Sequence, residues 1–369
     1  MLRVSRIGCR LSNSVLQLKG AIVPTNQIRC LFSGEELGIK NYELVRKQVK
    51  DYVKNPLRYK QNFENRFVDE DCNFTKYETE LNNLLHVVEK SESDMILLKE
   101  ALNTLIEKQS EYEGEKYAFG TVIMRTLYFL DMPNKAIEFY QNKNLRKLFT
   151  QVTGHQILLD LLFEHKMYDD LLRIYESLNI KGQLNRNRHI NVIVLATYYQ
   201  LNTPETFQKA YTLWKKEKSI SSKHHFRKSL TFVAGLALKQ NDPGLALNIL
   251  EDGVDHFYVT LRQIRLLAWA QLEKFDNVLE MLRSILRHFQ KIKAKNKSFY
   301  HLTSIPVLDD IEKLLKENGS KEHIDEFSAL RREMETNQLV TNKTLDDMMC
   351  VPFPAQPVAN TFYKSKKNQ

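Results

Sequence analysis

A short helical phrase recurs about every 35 residues: ALNTL from Ala101, AIEFY from Ala136, LLRIY from Leu171, AYTLW from Ala210, ALNIL from Ala246 and VLEML from Val278. Its first position is mostly small, and its fourth and fifth are mostly apolar. The anchors lie 35, 35, 39, 36 and 32 residues apart. A fixed period in this range signals stacked helical hairpins, because each hairpin buries its apolar face only against its neighbours. The expected fold is all-α, a solenoid with one long concave surface suited to an extended partner.

Proline punctuation supports the period. Pro133, Pro204 and Pro243 each fall just before the second helix of a hairpin, and Thr203 and Asp242 precede the latter two. Proline at a first helical position loses no useful N–H, and Thr or Asp before it can cap the freed donors. Residues 39–55 predict a helix with Ile39, Tyr42, Val45, Val49 and Tyr52 on one face. Residues 56–78 read as a connector or an incomplete opening hairpin. The stretch 305–338 predicts a polar closing hairpin that caps the array, with a left-handed stop at Gly319 and a helix cap at Ser320. Asp169-Asp170 and Asp309-Asp310 are expected at helix starts, where they complement the helix dipole. The expected divisions are 1–34, 35–79, 80–298, 299–349 and a disordered tail, 350–369.

Residues 1–34 contain Arg3, Arg6, Arg10, Lys19 and Arg29, several serines and no acid. That is the composition of a mitochondrial transit peptide. The expected cleavage falls between Arg29 and Ile39, and the expected destination is the matrix. The net charge of +9 shrinks without this segment, to 49 basic residues against 45 acidic. Charge distribution is then more telling than its sum. Four cysteines, with no CxxC pattern, argue against a disulfide framework. No apolar run approaches a membrane-spanning length, so membrane insertion is not expected.

Catalytic signatures are absent. There is no GxxxxGK[ST], GxGxxG or HExxH, and no Cys/His zinc spacing. His224-His225 point about 100° apart on a helix and cannot share a metal. The chain reads as a non-enzyme without a cofactor.

Fifteen residues before an anchor, in the first helix of each hairpin, stand Thr121, Gln156, Thr231 and Gln263; allowing for two longer turns adds Asn83 and Val192. Five of these six are polar in otherwise apolar helices. One donor–acceptor side chain per repeat is the arrangement needed to read one unstacked base per repeat. Two basic stretches lie in the later repeats, WKKEKSISSKHHFRK at 214–228 and LRSILRHFQKIKAKNK at 282–297. Lys291, Lys293, Lys295 and Lys297 of the second could track a phosphate backbone.

The hairpins resemble pentatricopeptide repeats; LLDLLFEHKMYDDLLRIYESL, at 158–178, fits the helix–turn–helix pattern without a gap. The Trp-Leu-Gly-Tyr pattern of tetratricopeptide repeats does not recur. Together with residues 115–131, 198–207 and 338–350, this stretch resembles a mitochondrial animal branch of the pentatricopeptide family. The resemblance implies a right-handed α-solenoid that binds single-stranded mitochondrial RNA during transcript maturation, beside RNA-processing enzymes, and so supports the respiratory chain. The same superfamily includes a protein of the small mitochondrial ribosomal subunit, which leaves a protein-binding scaffold as the rival reading. The family's base code pairs each first-helix residue with one just before the next repeat. Here the pairs would be Thr121 with Gln151, Gln156 with Asn187, and Thr231 with Tyr258. None is a familiar base-specifying pair, and Val192 is apolar where a reader is expected.

Overall fold

The structure, a computed structural model, describes residues 31–66, 73–114, 117–180, 187–220, 227–251, 258–294 and 302–351. Seventeen α-helices account for most of them. Two helices open the array, α1 (Ile39–Val53) and α2 (Pro56–Arg66). Then come seven hairpins: α3 (Phe74–Val87) with α4 (Glu92–Glu111), α5 (Phe119–Phe129) with α6 (Pro133–Gln141), α7 (Val152–Glu164) with α8 (Tyr168–Ile180), and α9 (Arg188–Leu201) with α10 (Pro204–Ile220). They continue as α11 (Arg227–Lys239) with α12 (Pro243–Glu251), α13 (Val259–Gln271) with α14 (Phe275–Lys293), and α15 (Ile305–Asn318) with α16 (Lys321–Thr336). A short helix, α17 (Leu345–Met349), follows. Thr303–Ser304 and Val340–Thr341 pair as a two-residue parallel ladder, β1 and β2, which ties the entry of the last hairpin to its exit.

The first helices form one continuous row, with α3, α5, α7, α9, α11, α13 and α15 each packed on the next. The second helices flank that row. All six anchors, Ala101, Ala136, Leu171, Ala210, Ala246 and Val278, lie on second helices and are at most 1% exposed. The 35-residue phrase is therefore the contact strip by which each second helix meets its hairpin partner and the next unit. The expected solenoid of stacked hairpins is what the chain forms.

Every hairpin turn from α5 to α14 passes through a left-handed residue. Asp131, Lys166, Asn202, Asn241 and Glu273 end their first helices with positive φ, between 50° and 58°. After four of them the next N–H reaches back five residues, as in Met132 to Leu127 O, Met167 to Leu162 O, Asp242 to Ala237 O and Lys274 to Trp269 O. This is the Schellman closure, here built without glycine. Pro133, Pro204 and Pro243 then open the second helices. Thr203 Oγ1 accepts from Thr206 N at 3.2 Å, and Asp242 Oδ1 from Leu245 N at 2.9 Å, as the capping argument requires.

Several local expectations change. Residues 56–78 are not merely a connector, since they contain α2 and the first turn of α3. Gly319 ends α15 with φ −86°, in extended rather than left-handed backbone. Ser320 caps α16 as expected, accepting from His323 N at 3.2 Å. Asp169 and Asp170 occupy the first turn of α8, but Asp309 and Asp310 lie beyond the first turn of α15. There Asp309 pairs with Arg331 at 2.7 Å and joins α15 to α16.

The largest departure concerns the inner face. Leu31 and Phe32, within the expected leader, are 0% and 1% exposed and belong to the main core. Residues 31–38 and α1 run along the first-helix row. The return through α17 covers α11 and α13. The remainder of the leader and the tail from 352 lie outside the described residues.

Candidate nucleic-acid interface

Thr121, Gln156, Thr231 and Gln263 sit near the starts of their first helices, whereas Asn83 lies in the third turn of α3, because that helix begins earlier, at Phe74. Their surroundings differ from an open groove. Asn83 on α3 is half-buried, while Thr121, Gln156, Thr231 and Gln263 are all buried. Thr121 Oγ1 donates to Gln151 Oε1, so that pairing across the repeat is real. Thr231 Oγ1 donates instead to Arg227 O at 2.7 Å, and Tyr258 lies under the Arg227 guanidinium. Asn187 caps α9, its Oδ1 accepting from Ile190 N at 3.1 Å. Gln263 is held by the returning chain: Ser304 N donates to its Oε1 at 3.2 Å, and its amide faces Met348 Sδ at 3.2 Å.

The reason lies in two segments of the chain itself. Residues 31–38 cross the row from α11 back to α5. Lys228 Nζ on α11 donates to Leu31 O at 3.3 Å. Phe32 packs on His189 of α9 with ring centroids 5.4 Å apart. The Glu36 carboxylate lies 3.8 Å from His189 Nδ1, and Arg125 Nε on α5 donates to Leu37 O at 3.0 Å. Gly38, with φ +73°, then turns the chain into α1. Helix α1 continues over α3, where Tyr42 OH donates to Leu85 O at 2.7 Å and Arg46 Nη2 to Val88 O at 2.6 Å. From the other end, Asp346 of α17 accepts from Tyr199 OH at 2.5 Å and pairs with Lys239 at 3.3 Å. Met349 lies against Gly235, where a Cβ would come within 3.1 Å of its Cε. Lys228 Nζ also donates to Val351 O, so both ends of the described chain meet at one lysine.

A buried polar cluster lies in this region. Asp160 of α7 is fully buried, and burial, reinforced by Glu164, raises its carboxyl well above the usual carboxylate range. Tyr128 OH donates to Asp160 Oδ2 at 3.3 Å and to Glu164 Oε1 at 2.7 Å. Asp160 Oδ1 has no partner. Burial raises Glu36 as well, and it lowers Lys228 to about 8 against the pull of Cys350, Glu36 and Asp160. On α13, burial lowers Arg262 to about 10.

Lys228 makes stability depend on pH. The unfolded lysine holds its proton to about 10.5, whereas the folded one releases it near 8. Between those values the unfolded state binds more protons, so stability is expected to rise with pH through that window, by of order 3 kcal/mol. Lys228→Met should flatten the rise in thermal melts taken from about pH 8 to about pH 10, within the window set by those two values. An equally steep rise in the variant would assign the effect elsewhere.

The basic stretches are only partly open to an anion. Arg283 pairs with Glu326 and Glu280, and Arg287 with Glu280. Lys291 and Lys293 are exposed, with Lys293 Nζ 5.6 Å from the Phe289 ring centroid. Lys295 and Lys297 lie outside the described residues. In the earlier stretch, Lys215 and Lys218 lie over Tyr211 and Trp214, whose rings stack 5.6 Å apart. Among the described residues no His/Cys/Asp/Glu group is set to hold a metal, and no helix is long and apolar enough to cross a membrane. Cys350 is buried.

A row of capped hairpins with a period near 35 residues defines a helical-repeat protein of the paired-hairpin class. No protein-family model matches the chain. It is nonetheless homologous to pentatricopeptide repeat-containing protein 2, mitochondrial, of several vertebrates. Identity to the mouse protein is 27%, over 73% of this chain and 69% of the relative. The human protein is 24% identical over 73% and 68%, and that of Xenopus laevis 24% over 74% and 70%.

Proposed function

We propose that this is a mitochondrial RNA-binding repeat protein that acts without cleaving RNA. It would bind single-stranded transcripts in the matrix and present them to separate processing enzymes, in support of the respiratory chain. The observation that carries this reading is the hairpin array itself, with its homology to mitochondrial pentatricopeptide proteins and one polar side chain from each of five first helices. Crosslinking in intact mitochondria, followed by sequencing of attached RNA, tests it; recovery of no RNA above background would reject it. A protein-binding scaffold, such as one on the small mitochondrial ribosomal subunit, is the second reading. It is favoured by an inner face that already holds two peptide segments.

Changing Lys291, Lys293, Lys295 and Lys297 together to Gln should weaken single-stranded RNA binding with little regard to sequence. For every phosphate that a lysine no longer neutralises, the log-affinity against log-salt slope should flatten by about 0.7. An unchanged slope would make this cluster a solvated helix end.

The acid-free start supports import, and the packing narrows the processing point. Cleavage after Leu31 would remove a core side chain, and cleavage after Leu37 would remove three. N-terminal sequencing of protein isolated from mitochondria should therefore begin at or before Leu31. A mature start between Ser33 and Ile39 would mean that the inner face is uncovered in the working protein.

A further inference from the structure

The inner face is where this class of protein would present base-reading side chains, yet here residues 31–38 and the stretch from α17 to Val351 lie on it. The covering is built like a bound peptide. Residues 31–38 contribute apolar anchors at Leu31, Phe32 and Leu37, each at most 1% exposed. Their polar contacts come from three first helices: Lys228 on α11, His189 on α9 and Arg125 on α5. Two of these contacts, from Lys228 and Arg125, recognise backbone carbonyls, as an extended ligand requires. The floor beneath is polar. Asp160 is fully buried with one oxygen unpartnered, and Glu36, Glu164 and Lys228 act on its charge. Such a floor is poorly matched to permanent closure, because a buried polar atom without a hydrogen bond costs free energy. Gly38, in left-handed backbone, turns the chain from this segment into α1.

We propose that residues 31–38 are a releasable strap, locked where Leu31 and Val351 meet Lys228, and that RNA reaches the first-helix row of the middle repeats only when the strap leaves. The inference rests on the RNA-binding reading and adds its regulation. Strap closure lowers apparent affinity by the fraction of molecules that are open. A ligand that binds only the open state must in turn displace the strap.

The first measurement uses the wild-type chain. Hydrogen–deuterium exchange is followed with and without a pool of short, mixed-sequence single-stranded RNAs at saturation. Bound RNA should speed exchange of amides in 31–38 while α7, α9 and α11 keep or gain protection. Unchanged or slower exchange in the strap, with RNA demonstrably bound, overturns the proposal. The second measurement uses the double variant Leu31→Asp/Phe32→Asp in the full chain. The strap should lose protection, and RNA affinity should rise by about tenfold or more, as expected if the closed form dominates by that factor. Equal affinity with and without a released strap overturns the gate and leaves RNA binding standing. Binding by neither protein rejects the RNA reading, and the gate with it. If the variant loses protection in α7 to α11 as well, the strap is a structural part of the core and the proposal fails.

Discussion

Gly120→Val is expected to lower stability by about 1–3 kcal/mol or more, because the atoms it would strike are backbone. Gly120 lies near the start of α5, where the 3₁₀ turn Leu145–Leu148 crosses it. A Cβ there would overlap Leu148 O and lie 3.1 Å from Phe149 Cα. A flexible side chain could swing aside, but a carbonyl in a packed turn cannot. Gly154, on the neighbouring α7, supplies the control. Its Cβ would meet Gly120 O at 3.5 Å and Thr121 Cα at 3.7 Å, which is ordinary contact. Gly154→Ala should be neutral or stabilising, since alanine favours the helix by up to about 1 kcal/mol. Thermal melts of the two variants decide the matter. Wild-type melting of Gly120→Val would show that the turn does not sit on α5 as described.

Asp160→Asn is expected to do the opposite and stabilise the protein at pH 8. Burial raises the Asp160 carboxyl in the fold above its ordinary value of 3.8. The stability linked to this group is therefore complete at low pH and is lost as pH rises through the folded value. Asparagine keeps the shape and removes the charge. An unpaired buried ion costs several kcal/mol, so the gain should be largest above neutrality and vanish near pH 4, close to that ordinary carboxyl value. A melt that falls at pH 8 would mean that Asp160 is ionised and held by Lys228.

The hairpin array is legible in the sequence because one physical constraint repeats. Each second helix needs a small or apolar contact strip, and that strip recurs at Ala136, Leu171 and Ala246 whatever the rest of the sequence does. The turns are only half legible. Pro204 and Asp242 announce the second helices, but the left-handed closures at Asp131, Lys166 and Glu273 carry no glycine to mark them. The covered inner face is not evident from the repeat period, although a signal for it exists. Residues 154–163 of α7 and 228–238 of α11 are buried without a break. A helix buried on every side has neighbours on every side, whereas an open groove would leave each first helix an exposed stripe. Leu31, Phe32 and Leu37 are hard to single out because a leader and a docking peptide both combine small, polar and apolar residues. Asn187 and Thr231 have the residue types of partner contacts, whereas their hydrogen bonds serve a helix cap and a backbone carbonyl.

The meeting of both ends on Lys228 joins residues 197 positions apart in the chain on one side and 123 on the other. Repeat arrays ordinarily evolve by gaining or losing units, because neither end touches anything but its neighbour. Here an added hairpin between α5 and α11 would move Lys228 out of reach of Leu31, and one between α11 and α17 would move it away from Val351. Duplication would leave a chain whose ends no longer find their lysine. The two contacts on Lys228 thus match the reach of residues 31–38 and of the stretch to Val351 to this number of hairpins, and a change of count would cost one or both.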